Sequence, residues 1–98
     1  MQEQNLERLF TTEIKNKGGK ALKFTSPGMA GVPDRLVLLP TGQAVFVELK
    51  APGRKMRPLQ RKRAKDLRKL GFRVYCLDSV SSVERFMTEV FGEEVMPR

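Results

Sequence analysis

Two apolar runs joined by a short turn constrain the fold of this chain most. Residues 35–39 read Arg-Leu-Val-Leu-Leu, residues 43–50 read Gln-Ala-Val-Phe-Val-Glu-Leu-Lys, and Pro40-Thr41-Gly42 lies between them. Apolar runs of this length, rich in Val and Phe and bounded by Pro and Gly, are typical of strands. Because the linker is so short, the sequence predicts an antiparallel hairpin in which the end of the second strand faces the beginning of the first.

The rest of the chain alternates between helical and strand patterns. Leu6, Phe10 and Ile14 recur at helical spacing and the run ends at Gly18-Gly19, while Ser81 to Glu84 fits a capping box that begins the last helix. Proline and glycine mark residues 26–33 and 51–57 as loops. The remaining predicted elements are a first helix over 3–17, strands over 21–25 and 72–77, a helix from Pro58 to Leu70, and a last helix whose apolar stripe ends at Phe91.

This order, α-β-β-β-α-β-α, predicts an α/β fold with a mixed four-stranded sheet flanked by helices. At 98 residues the chain suits one domain with one core, so we expect a single domain over residues 1–98. Residues 92–98 are predicted to be a flexible tail. No apolar run approaches the ~20 residues of a membrane span, and the N-terminus lacks the pattern of a signal peptide. We therefore expect no membrane contact and a cytoplasmic protein.

The composition narrows the possible chemistry. The chain has no His and one Cys, Cys76, which excludes a disulfide within the chain, zinc clusters and His-dependent triads. Cys76 lies in an apolar-rich stretch and is predicted to be a core residue. Any catalysis must therefore rest on carboxylates, lysine or hydroxyl groups.

Positive charge is concentrated in one part of the sequence. The net charge is +8, and residues 48–73 hold 11 of the 19 basic residues against two acids. Such a segment is typical of proteins that bind nucleic-acid backbones, although a solvated helix face has the same composition. On the predicted second helix, four basic residues form one exposed stripe that could follow a DNA backbone. These are Arg57, Arg61, Lys65 and Arg68.

Three polar residues converge at one end of the predicted hairpin. Glu48 and Lys50 lie two apart in a strand and so share a face, and antiparallel pairing brings Asp34 opposite them. Taken singly, Asp34 could cap a turn, and Glu48 with Lys50 could be an exposed ion pair. Together the two carboxylates and the carbonyl of Leu49 form a set of hard oxygen ligands suited to Mg²⁺ or Mn²⁺. Lys50 could then orient the water that attacks a phosphodiester.

These residues resemble the PD-(D/E)XK nuclease superfamily. Gly31-Val32-Pro33-Asp34, Val47-Glu48-Leu49-Lys50, Ser26-Pro27-Gly28 and Gln60 are most similar to the VRR-NUC branch, in particular its stand-alone bacterial and phage versions. The resemblance covers nearly the whole chain and implies a restriction-endonuclease-like fold.

The resemblance also implies an activity and roles for residues. It implies an Mg²⁺- or Mn²⁺-dependent, structure-selective DNA endonuclease, similar to Holliday junction resolvases, that cuts branched DNA such as junctions or flaps as a homodimer. Asp34 and Glu48 would bind the metal and Lys50 would serve the water and the phosphate. A first-helix acid would complete the metal site, with Glu7 preferred over Glu3. The other implied site residues are Gln60 near the metal and Ser26 as a candidate DNA contact. Independently of the resemblance, Lys23 near the Ser26 loop is either a phosphate contact or a solvated lysine. The alternative is a non-catalytic nucleic-acid-binding module with the same fold.

Overall fold

The computed structural model describes residues 2–92, and its element order is α-β-β-β-α-β-α, as predicted from the sequence. Each element lies within one or two residues of its predicted bounds. The helices are α1 (Glu3–Asn16), α2 (Pro58–Lys69) and α3 (Val80–Phe91), and the strands are β1 (Lys20–Lys23), β2 (Arg35–Leu38), β3 (Ala44–Leu49) and β4 (Arg73–Leu77).

The four strands form one mixed sheet in the order β1-β2-β3-β4. The first three strands are antiparallel neighbours, and β4 is parallel to β3. A parallel pair needs a connection that returns the chain to the same end of the sheet, and α2 with its preceding loop supplies it. The predicted α/β fold is therefore confirmed.

Helices cover both faces of the sheet, because strand side chains alternate between the two faces. On one face α1 and α3 pack against the odd-numbered residues of β3 in the larger core cluster, which includes Phe10, Val47 and Phe86. On the other face α2 packs through Ala64 against Phe46 and its neighbours. The even-numbered residues of β3 therefore face the α2 side of the sheet.

The hairpin turn sets the register of β2 against β3. Gly42 has a φ of 91° and donates its backbone N–H to the carbonyl of Leu39 at 2.9 Å, which closes the turn tightly. Arg35 then pairs with Val47, so the preceding residue, Asp34, falls opposite Glu48. The predicted juxtaposition of these two acids is a direct result of the short turn.

Two sequence-based predictions about β4 and α3 were wrong. The N-cap of α3 is Ser79, whose hydroxyl accepts from the backbone N–H of Ser82 at 3.1 Å, so the capping box predicted at Ser81 to Glu84 lies two residues too late. The hydroxyl of Ser82 accepts from the backbone N–H of the N-cap residue Ser79, and this is the role that the predicted capping box gave to Glu84. Cys76 is exposed instead of buried in the core, because its side chain lies on the α2 face beyond the residues that α2 covers.

The predicted tail lies outside the described residues except for Gly92, which caps α3 with a φ of 72°. Within residues 2–92, no helix has the length and apolar character needed to cross a bilayer.

Candidate active site

Two carboxylates are fixed against each other where β2 begins and β3 ends. The backbone N–H of Asp34 donates to Oε1 of Glu48 at 3.2 Å, and the backbone N–H of Leu49 donates to Oδ1 of Asp34 at 3.2 Å. Each acid is thus held by the backbone of the other strand. The Glu48 side chain is 6% exposed and that of Asp34 is 36% exposed, so the pair opens to solvent on the Asp34 side.

A lysine and a glutamine meet the remaining oxygen of Glu48. Nζ of Lys50 lies 3.2 Å from Oε2 of Glu48, and Nε2 of Gln60 donates to the same oxygen at 3.0 Å. Lys50 is there because it lies two residues after Glu48 in an extended chain. Gln60 is there because the first turn of α2 lies over the same face, where its Oε1 also accepts from the N–H of Arg57 at 2.9 Å. The structure therefore brings together Asp34, Glu48, Lys50 and Gln60 as the spacing predicted.

The electrostatics of this group favour the arrival of a cation. Burial raises the pKa of Glu48, and the nearby charge of Asp34 raises it further, while Lys50 lowers it in part. The net rise in pKa means that ionisation of Glu48 is less favourable than that of an exposed glutamate. A divalent cation between the two carboxylates would remove that penalty.

Arg35 also contacts the carboxylate centre, although it was not among the predicted site residues. Its guanidinium forms an ion pair with Glu7 of α1, lies 3.3 Å from Oδ2 of Asp34 and donates to the Asp34 carbonyl at 3.0 Å. The alternation of side chains along β2 could have indicated this role. Residue 35 shares a face with Val37, and Val37 is fully buried. A charged side chain on that inner face needs a partner, and Glu7 is that partner.

The first-helix acids lie apart from the central pair. Glu7 is half-buried and is engaged by Arg35, whereas Glu3 is exposed and lines a cleft with Lys50. Within residues 2–92, no three side chains of His, Cys, Asp or Glu are grouped so as to hold one metal ion. The structure thus joins Asp34 to Glu48 but does not add either first-helix acid to them.

The predicted DNA-binding residues lie at different places around the site. Arg57 lines the cleft that contains Lys50, and Arg61 lines a second cleft beside Cys76 and donates to the Met56 carbonyl at 2.7 Å. Farther along α2, Lys65 is exposed, and Arg68 donates to the carbonyl of Val74 at 2.6 Å.

The two candidates near β1 lie in a strand and in the loop that follows it. Lys23 pairs with Arg35 across the sheet and therefore projects from the α1 face, opposite to the face that carries Glu48. Ser26 is half-buried in the loop before β2, where its carbonyl accepts from the N–H of Met29 at 3.0 Å.

The oxygen atoms of the central pair fit a hard divalent cation. Magnesium and manganese prefer carboxylate, carbonyl and water oxygens, and magnesium retains several waters while using only one or two carboxylates. Asp34 and Glu48 supply two carboxylates, and the carbonyl of Leu49 follows in the same strand. Burial and the neighbouring charge of Asp34 both raise the pKa of Glu48, so a cation bound by the two carboxylates would favour the ionised form of Glu48.

A buried Glu with a Lys two residues later, an Asp on the neighbouring strand and a Gln from the next helix, all on one face of a mixed sheet, define the PD-(D/E)XK class of nucleases. Residues 2–81 match the VRR-NUC domain family. The chain is 48% identical over 79 residues to a protein named as a candidate nuclease, p44, of Acyrthosiphon pisum secondary endosymbiont phage 1. That match covers 81% of this chain and 85% of p44.

A solved structure described as a VRR_NUC domain is also similar. It superposes with a TM-score of 0.84 at 29% sequence identity, over 90% of this chain and 96% of the other. The protein belongs to the VRR-NUC domain family. Both the family and the fold implied by the sequence motifs are therefore confirmed.

Proposed function

We propose that this protein is a divalent-metal-dependent endonuclease that hydrolyses phosphodiester bonds in DNA, with a preference for branched substrates. The observation that carries the proposal is the pair of carboxylates tied together by reciprocal backbone hydrogen bonds, with Lys50 and Gln60 on the second oxygen of Glu48. Membership of a nuclease domain family supports the same reaction.

The roles of the residues follow from their positions. Asp34, Glu48 and the Leu49 carbonyl would hold Mg²⁺ or Mn²⁺. When bound, such an ion supplies positive charge that stabilises the extra negative charge of the phosphate in the transition state. Lys50 is a donor that can orient the attacking water or neutralise the phosphate, and it must release Glu48 to do so. Gln60 keeps the Glu48 carboxylate in one orientation while Lys50 moves.

DNA is the proposed substrate because the site lies among concentrated positive charge. The net charge is +8, and the loop and helix that follow Lys50 carry nine of the 19 basic residues. Aromatic residues are 7% of the chain and Trp is absent, so stacking on bases is not favoured. Recognition through the backbone and shape of the DNA is the natural mode for such a surface.

A homodimer acting on junctions or flaps belongs to the same proposal. It is supported by the resemblance to stand-alone members of the branch and by the need to cut two strands with one small site per chain. A non-catalytic DNA-binding module is the competing function, and the observation that favours it is that Lys50, Gln60 and Arg35 neutralise or hydrogen-bond the two carboxylates.

A cleavage panel distinguishes these functions. Purified protein is incubated with labelled junction, flap, single-stranded and linear duplex DNA, with Mg²⁺, with Mn²⁺ and with EDTA, and its solution mass is measured in parallel. We expect metal-dependent cutting that is strongest on branched DNA, and a mass of two chains. Asp34→Asn and Lys50→Gln should each reduce cutting by about 100-fold or more, since each removes a charge that acts in the transition state.

Binding without cleavage by the wild-type protein would establish the non-catalytic function instead. Unreduced cutting by either variant would show that the proposed centre is not the catalytic one. Lys69→Gln is the matched control for Lys50→Gln, since it removes an exposed lysine from the far end of α2.

A further inference from the structure

The loop between β3 and α2 presents two cations of the basic segment that are not among the individually predicted DNA contacts. Arg54 and Lys55 are both exposed, and among residues 2–92 neither side chain takes part in an ion pair or a side-chain hydrogen bond. By contrast, several cations of α2 are committed within the protein. Lys62 and Arg63 pair with Asp66, and Arg68 donates to a β4 carbonyl.

Two clefts meet at these cations. One has a volume of about 300 Å³ and is lined by Glu3, Lys50, Ala51, Arg54, Lys55 and Arg57. The other also has a volume of about 300 Å³ and is lined by Arg54, Lys55, Met56, Arg61, Cys76 and Asp78. Because both clefts share Arg54 and Lys55, these two side chains stand between them.

Both clefts border the carboxylate centre. The first contains Lys50, whose Nζ contacts Glu48, and the second contains Cys76, which is paired with Glu48 across β3 and β4. Each cleft also has one acid, Glu3 in the first and Asp78 in the second. Four basic residues against one acid leave the first cleft at +3, and three against one leave the second at +2.

Hydrogen bonds fix the backbone of the loop on both sides of Arg54 and Lys55. Pro52 and Gly53 occupy the central positions of a turn that the N–H of Arg54 closes on the carbonyl of Ala51 at 2.9 Å, and Gly53 has a φ of 80°. This is the geometry of a type II turn. Arg61 fixes the other end of the loop through the Met56 carbonyl. The first turn of α2 then adds its positive dipole end and contains no acid.

We propose that Arg54 and Lys55, flanked by Arg57 and Arg61, form a phosphate-binding strip that holds the DNA backbone on both sides of the scissile phosphate. The inference rests on the proposed DNA substrate and names where its backbone is held. It places the main DNA contacts in the loop beside Lys50 and not in the later turns of α2. Lys65 and Lys69 lie roughly 8 Å and roughly 14 Å along the α2 axis from Gln60.

The test compares two double variants that each remove two positive charges. Arg54→Gln/Lys55→Gln removes the strip, and Lys65→Gln/Lys69→Gln removes two exposed lysines of α2. Binding of a short fluorescein-labelled DNA duplex is measured by anisotropy in EDTA, so that cleavage plays no part, at several KCl concentrations. Thermal unfolding of each variant checks that the fold is retained.

We expect the Arg54/Lys55 pair to weaken binding by roughly tenfold or more and to lower the slope of log K against log salt by about two. The Lys65/Lys69 pair should change either quantity far less. Equal losses from both pairs, an unchanged slope for the Arg54/Lys55 pair, or no DNA binding by the wild-type protein would each overturn the strip. If the strip variant loses binding and the cleavage panel is negative, the strip stands and the proposed nuclease activity falls.

Discussion

Glu48 is the residue on which the site depends. It is the one buried charged or polar residue within residues 2–92, and it lies beside a second carboxylate. Ionised acids in such surroundings are costly unless they are neutralised or hydrogen-bonded. Here Lys50, Gln60 and a backbone N–H share that task. The fold therefore holds a carboxylate in a position that it would not occupy for stability alone.

The ion pair between Arg35 and Glu7 can be tested by a double-mutant cycle. If Glu7 acts only as the partner of Arg35, the effects of Glu7→Gln and Arg35→Gln on the free energy of unfolding should not add. Each alone should lower that free energy by about 1 to 3 kcal/mol, since each leaves a partly buried charge without its partner. Urea unfolding of both single variants and the double variant measures the coupling.

Manganese affinity provides the second readout of the same cycle. In the Arg35→Gln background, Glu7→Gln should change the Kd for Mn²⁺ by less than about twofold, because a residue that acts only through Arg35 has nothing left to act through. A larger loss of affinity in that background would show that Glu7 itself binds the metal. In that case the role implied by the family resemblance would stand.

Contacts between elements explain why the loop before β2 matters for the site. Gly31 has a φ of 87°, and a Cβ there would lie 2.7 Å from Cγ of Leu59 and 3.2 Å from the Leu59 carbonyl. Leu59 directly precedes Gln60, the residue that holds Glu48. The loop is therefore packed against the first turn of α2 so closely that no side chain fits between them.

Gly31→Ala should impair both stability and activity. We expect a loss of about 1 to 3 kcal/mol in the free energy of unfolding, since alanine is strained at positive φ and its methyl group displaces Leu59. The shift of Gln60 should also lower the cleavage rate at saturating substrate. Urea unfolding and single-turnover cleavage measure the two effects.

Gly28→Ala is the matched control in the same loop. Nothing lies within 4 Å of a Cβ at Gly28, and this residue does not have positive φ. Its unfolding free energy and cleavage rate should equal those of the wild type. Equal behaviour of the two variants would show that the Gly31 contact has no role in holding α2.

Local rules predicted the elements and the centre of the site, but not everything around it. Asp34 was placed opposite Glu48 because a short turn leaves little freedom of register, and Gln60 was placed by helix geometry. The cap at Ser79 was missed because several serines compete within four residues, and only the packing of α3 selects one. The exposure of Cys76 depends on where α2 ends its cover of β4, which no local pattern records.

Across the whole molecule, the two faces of the sheet carry different groups of residues. The α1 and α3 face carries the larger core cluster, whereas the α2 face carries the smaller cluster, the carboxylates and the basic loop. The larger core cluster and the carboxylate pair therefore lie on opposite faces of one layer of strands. The excess of positive charge, +8 in 98 residues, is concentrated on the α2 face.

Titration of the protein with Mn²⁺ by calorimetry, in the absence of DNA, tests most directly whether Asp34 and Glu48 form a metal centre. We expect that the wild type binds Mn²⁺, that Asp34→Asn and Glu48→Gln abolish binding, and that Lys50→Gln retains or strengthens it while losing cleavage. Lys50→Gln should not weaken binding, because it removes a cation that competes for Glu48. Undiminished Mn²⁺ binding by Asp34→Asn or Glu48→Gln would show that this pair of carboxylates does not hold the metal.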